Sequence, residues 1–169
     1  MALLDTAGQT VEDIWSTIDD EAPLPEGPAL VTLARLEREG DALAGRNSPL
    51  GVVAPSNMKP EASLAPFLDR LSLVAIEFPV FKDGRGFTIA RALRERFGYQ
   101  GEIRAVGHIL PDQYVHLRRC GVTTVEIPDG TESRWREALS FYDIAYQPAI
   151  TDDRPLSLLR RRLADIHGR

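Results

Sequence analysis

Short apolar runs alternate along this chain with stretches in which apolar residues recur every three or four positions. The runs are residues 29–33, 50–54, 73–78, 103–106 and 123–127, with residues 144–146 as a candidate sixth. Brief runs bounded by turn residues predict buried strands. The stripes between them predict amphipathic helices. They are Leu64, Phe67, Leu68 and Leu71; Ile89, Ala90, Leu93 and Phe97; Leu110, Tyr114, Leu117 and Cys120; and Trp135, Ala138, Leu139 and Tyr142. Pro66 confines the first regular helix to the residues after the proline. Gly98 is placed to stop the second, and Pro111 and Gly121 bracket the third. A further short helix is predicted over residues 10–18, with Val11, Ile14, Trp15 and Ile18 on one face.

Strands spaced by roughly 20–30 residues, with helices between them, imply right-handed crossovers and a parallel sheet. The expected fold is a single three-layer α/β domain with a mainly parallel sheet of five or six strands. A half (βα) barrel is the alternative. The organisation expected is an acidic N-terminal segment (residues 1–28), the α/β domain (29–150) and a basic C-terminal tail (151–169). Residues 19–28, DDEAPLPEGP, read as a proline-broken linker. In the tail, Leu156, Leu159, Leu163 and Ile166 form a stripe beside Arg160, Arg161 and Arg162, which suits a docking helix or a terminal helix packed on its own domain.

Charge sharpens this picture. Residues 1–28 carry seven acids and no Lys or Arg, whereas residues 82–119 carry eight bases against four acids, within a net charge of −5. A basic middle suits an anionic small molecule or an acidic partner surface. Overall acidity argues against nucleic acid. No apolar run approaches the roughly 20 residues of a membrane span, and the start, MALLDTAGQT, lacks a basic secretory n-region. Cys120 is the one cysteine, so no internal disulfide forms and no cysteine-ligated cluster assembles. A cytoplasmic protein with no cofactor of its own is expected.

Polar residues just after parallel strands are where α/β sheets bind ligands. After the strand ending at residue 78 comes Lys82-Asp83-Gly84-Arg85-Gly86. Its glycines permit close backbone approach, the following helix offers free N–H groups, and Lys82 and Arg85 add charge-assisted donors for an oxyanion. The same residues serve as a plain glycine turn feeding a helix. The dinucleotide fingerprint is not met, because its third glycine position is Ile89. After the next strand come His108, Asp112 and Gln113, a second polar candidate group in which Asp112 also suits dipole compensation at a helix start. Glu77 ends the most apolar strand and needs a partner if buried, for which Arg104 is the candidate. His116 and His167 read as surface residues, and Cys120 as a core residue. No nucleophile elbow, P-loop or zinc-protease motif occurs.

The strings EFPVFKDGRGFTIARALRER, GYQGEIRAVGHILPDQ and RRCGVTTVE resemble a family of uncharacterised bacterial proteins. That family is a domain of unknown function labelled as an oxidoreductase of sulfite reduction. The resemblance spans residues 23–148, and its label implies a pathway rather than a reaction. The chain departs from the family pattern at His108, where the family has an acid, and at Phe87, where it has an aromatic hydroxyl. The resemblance implies an auxiliary role in assimilatory sulfate or sulfite reduction, and the residues of the Gly-Arg-Gly loop add the expectation of a small oxyanion held there. The alternative is a non-catalytic binding or assembly partner of sulfite reductase or another sulfur-assimilation enzyme. A homo-oligomer is compatible with either.

Overall fold

In the computed structural model, which describes residues 1–140 and Ala149, the apolar runs become strands of one sheet. In chain order the elements are β1 (Ala2–Asp5), β2 (Thr10–Val11), β3 (Ser16–Thr17), β4 (Ala29–Thr32), α1 (Leu33–Ala44), β5 (Leu50–Pro55), α2 (Pro60–Ser63), β6 (Leu71–Phe78), α3 (Arg85–Glu95), β7 (Glu102–Gly107), α4 (Tyr114–Arg119), β8 (Thr124–Ile127) and α5 (Glu132–Ala138). The candidate strand at residues 144–146 and the tail stripe lie outside the described residues.

The sheet order is β2-β1-β8-β7-β6-β5-β4-β3. The strands from β3 through β8 pair in parallel, while β1 is antiparallel to both β2 and β8. The α/β, mainly parallel reading holds. The described residues form eight strands rather than five or six, because the acidic segment supplies three: β1, β2 and β3. Two of these are only two residues long, too short to leave an apolar run.

The same three strands show that the sheet is curled. β2 and β3 sit at opposite ends of the order, yet only residues 12–15 connect them. Eight flat strands would separate these edges by roughly 33 Å, whereas the connection reaches about 18 Å fully extended. The sheet therefore bends into a trough, and the half-barrel alternative describes it. Helices cover its outer face, where Leu36, Leu43, Leu93, Leu117 and Trp135 pack on Val31, Val52, Ile76, Ile103 and Val125. The inner face is a smaller cluster of Leu30, Leu73 and Ala75, flanked by Val53 and Val106 of the same sheet and covered by Trp15.

Local chemistry sets the helix ends. Thr32 caps α1, its hydroxyl accepting the Arg35 N–H at 3.1 Å. Gly98 and Gly121 stop α3 and α4 with positive φ of 63° and 92°. At each stop the next residue's N–H returns to the helix, Tyr99 to Leu93 and Val122 to Leu117.

Two expected helices are corrected. The stripe Leu64–Phe67–Leu68–Leu71 is divided among the end of α2, a 3₁₀ turn at Leu68–Arg70, and the first residue of β6. Pro66 lacks the N–H needed for a continuous helix, and Leu64 and Leu68 bury from a turn instead. Residues 10–18 form no helix: Val11 pairs with Leu3, and Ser16 and Thr17 pair with Ala29 and Leu30. Ile14 is 61% exposed while Trp15 faces the trough. Sheet hydrogen bonds at both edges override the helical period.

Candidate functional site

Three successive turns at the C-terminal edge of the sheet are tied into one surface. β6 ends at Phe78 and β7 at Gly107, in register. Gly107 has a φ of 95°, and a Cβ there would stand 2.6 Å from the Phe78 carbonyl oxygen. That close approach lets the His108 N–H donate to the Phe78 carbonyl at 2.8 Å. Gln113 then clamps both turns. Its Nε2 donates to the Phe81 carbonyl (2.8 Å), and its Oε1 accepts the Leu110 N–H (3.0 Å). On the other side, Ser56, just past β5, donates its hydroxyl to Asp83 Oδ2 at 2.6 Å.

Asp83 organises the glycine loop. Its carboxylate accepts from Arg85 Nε (2.8 Å), Arg85 Nη2 (2.7 Å) and the Arg85 backbone N–H (3.1 Å). It thus binds the guanidinium through both oxygens and satisfies a free N–H at the start of α3. Arg85 first, and Ser56 second, hold the Asp83 carboxyl well below the usual carboxylate range. The Arg85 side chain remains 61% exposed, but its charge is matched by a buried partner.

The two loop glycines have different jobs. Gly84 has open space where a side chain would stand, whereas a Cβ on Gly86 would lie 2.4 Å from Phe78 Cζ. Gly86 is therefore required for packing α3 on β6, beside the edge-on Phe78–Phe87 contact at 5.4 Å.

The remaining predicted residues spread along the same edge. Lys82 is exposed, its ammonium 5.5 Å from the Phe81 ring centroid. His108 joins Pro79, Val80, Phe81 and Lys82 around an apolar hollow of about 340 Å³. Asp112 is exposed at the mouth of the second turn. Glu77 also reaches this end, but it is exposed and does not pair with Arg104. That expectation is corrected: no helix among the described residues covers the inner face of β6, so Glu77 meets solvent. Arg104 is the buried member, bound by Asp13 and Glu102.

The structure thus joins Asp83 directly to Arg85 and Ser56, packs Gly86 on Phe78, and ties Gln113 to Phe81 and Leu110. It sets Lys82 and His108 on a common hollow and leaves Glu77 and Asp112 apart from both networks. Sequence reading missed Ser56, whose signal was its place directly after a strand, like the other two turns. Cys120 is buried, and burial pushes its thiol pKa up, as expected of a core cysteine. His116 leans on the Phe87 ring at 4.8 Å, and burial, with Arg119 second, lowers its pKa. Among the described residues, no three His, Cys, Asp or Glu side chains gather as a metal site, and no helix is long and apolar enough to cross a membrane.

Residues 51–157 match a bacterial family of proteins of unknown function, DUF934. The match takes in more than half of the chain and all three turns of the edge, so the chain belongs to this family. No curated protein and no solved structure matches it.

Proposed function

We propose that this DUF934 protein is an auxiliary, non-catalytic component of assimilatory sulfite reduction that works by docking its C-terminal sheet edge onto a redox partner. One observation carries the reading. Val80, Phe81 and Leu110 are large apolar side chains left 55%, 46% and 41% exposed, on turns whose backbones are pinned together by Gln113. Apolar groups presented from fixed backbone are the mark of an interaction surface. The pathway comes from the family resemblance, which points to sulfite reductase or another sulfur-assimilation enzyme in the cytoplasm.

The chemistry of the edge supports docking over turnover. The Ser56 hydroxyl donates to a carboxylate that Arg85 already saturates, so Asp83 is a poor base toward it. With a single buried cysteine, electrons would come from the partner. A small oxyanion remains the second reading, favoured by Lys82, whose ammonium has the Phe81 ring and no carboxylate among its described contacts.

Purified sulfite reductase, titrated against wild type and Phe81→Glu, separates these readings. Docking requires binding to weaken at least tenfold in the variant, which corresponds to about 1.4 kcal/mol. Unchanged affinity in a folded Phe81→Glu protein rules docking out. Oxyanion binding requires calorimetric sulfate affinity that falls in Lys82→Ala and Arg85→Ala. Sedimentation at two concentrations reports whether a second copy occupies the patch instead.

A further inference from the structure

Residues 12–15 lie across the inner face of the trough, held by the Asp13 carboxylate and the Trp15 ring. Asp13 Oδ2 accepts from Arg104 Nη1 at 2.8 Å, and the Arg104 side chain is only 4% exposed. Asp13 Oδ1 accepts the Trp15 backbone N–H at 3.2 Å, which fixes the carboxylate. Trp15 packs on Leu30, Leu73 and Ala75. Its ring occupies the space that Gly51 leaves: a Cβ on Gly51 would stand 3.1 Å from Trp15 and 3.0 Å from both Leu30 and Leu73. Glu12 and Ile14 are exposed, the Asp13 side chain stays 47% exposed over Arg104, and Trp15 is half-buried.

The floor under this strap is built to read two features. One is a cationic seat, Arg104, fixed from beneath by Glu102 at 3.1 Å, which is itself bonded by the Thr124 hydroxyl at 2.6 Å. The other is an apolar seat over Gly51. A plug needed for stability alone gains little from a buried arginine, since an apolar residue in such a place is often neutral or stabilising. A buried guanidinium with one fixed carboxylate and one contributed by a tethered segment also suits recognition of an incoming carboxylate. The tether is short and held at each end by a two-residue strand.

We propose that the inner face of the trough is a binding groove for a partner segment carrying a carboxylate two positions before a large aromatic. Residues 12–15 are its built-in occupant, an autoinhibitory contact. A partner segment takes the groove by displacing the strap. It replaces Asp13 on Arg104 and Trp15 over Gly51, and Glu102 keeps Arg104 paired during the exchange. This surface is separate from the apolar edge formed by Val80, Phe81 and Leu110, and neither depends on the other.

The probe is a fluorescein-labelled peptide of residues 10–17, TVEDIWST, titrated by anisotropy against the full chain and against Asp13→Ala/Trp15→Ala. The tethered occupant reduces the open fraction of the wild-type chain. The double variant should therefore bind at least about tenfold tighter. Peptides with Asp changed to Asn, or Trp to Ala, should lose that gain, and so should the double variant carrying Arg104→Met. Equal binding to wild type and double variant, or binding to neither, overturns the proposal. If circular dichroism shows the double variant unfolded, a chain with Gly-Ser-Gly-Ser inserted after Val11 replaces it. That insertion keeps every contact residue but lowers the strap's effective concentration, and the same outcomes decide.

Discussion

Gly86→Ala is the sharpest test of why the glycine loop has its sequence. The added Cβ would stand 2.4, 2.6 and 2.9 Å from Cζ, Cε1 and Cε2 of Phe78, where ordinary contact begins at 3.4 Å. Phe78 must therefore retreat by about 1 Å, a small-to-large change in a filled core. It has little room: the ring is 1% exposed and packed edge-on against Phe87. Overpacking of this kind costs about 1–3 kcal/mol, and the better helix propensity of Ala returns about 0.5–1 kcal/mol. The net expectation is a loss of up to about 2.5 kcal/mol, or up to about 10 °C in Tm for a chain of this size. Gly84→Ala, in open space with φ of −77°, should be neutral or gain up to about 1 kcal/mol through the unfolded state. Urea unfolding of both variants measures the contrast. Adding Phe78→Leu removes the ring atoms in the way, so Gly86→Ala should cost less in that background. A Gly86→Ala variant that gains stability, or that costs the same with and without Phe78→Leu, would refute the packing role of Gly86.

Buried polar contacts carry the other expected effects. Arg94 donates to the carbonyls of Tyr99 (2.5 Å), Gly101 (2.9 Å) and Gly121 (3.1 Å), joining the end of α3 to β7 and the end of α4. Arg94→Ala should cost more than about 2 kcal/mol in urea unfolding by orphaning those groups, and Arg94→Lys should not rescue it, because an ammonium lacks the planar fork. The Asp83 carboxyl is depressed in the folded state, so the unfolded chain takes up the proton first. Its stabilising contribution is whole above the ordinary carboxyl pKa of about 3.9 and is lost as pH falls below it. Urea midpoints across that acid range should drop less steeply in Asp83→Asn, and parallel slopes would contradict the assignment.

The parts of this fold that were legible in the chain are those with local causes. Apolar runs at residues 50–54, 73–78, 103–106 and 123–127 became β5, β6, β7 and β8, because the central strands bury side chains both under the outer helices and in the inner cluster below Trp15. Gly98 and Gly121 marked helix ends because a positive φ strains any residue with a Cβ. α1 was not read, since buried Arg35 and Gly40 interrupt its stripe. A Cβ on Gly40 would stand 2.3 Å from Phe67 Cε1, a neighbour contributed by a later turn.

At the site, the order strand, turn, helix by itself places Asp83–Gly86 and His108–Gln113 on one edge, since parallel strands end together. What that order left open was which polar groups satisfy each other. Asp83 was legible as a turn residue, but its grip on Arg85 and Ser56 depends on β5 lying beside β6. Arg104 was paired with Glu77 in sequence reasoning because both lie on neighbouring strands. Asp13, 91 residues away, holds it instead. The sequence by itself determined the identities of β4 to β8 and of α3, α4 and α5, and the edge on which the polar turns gather, because these depend on periodicity and backbone sterics within a few residues. The curl of the sheet, the strap across its inner face and the partners of its buried charges were decided only by tertiary structure. Each depends on which strands become neighbours, and local patterns do not encode that choice.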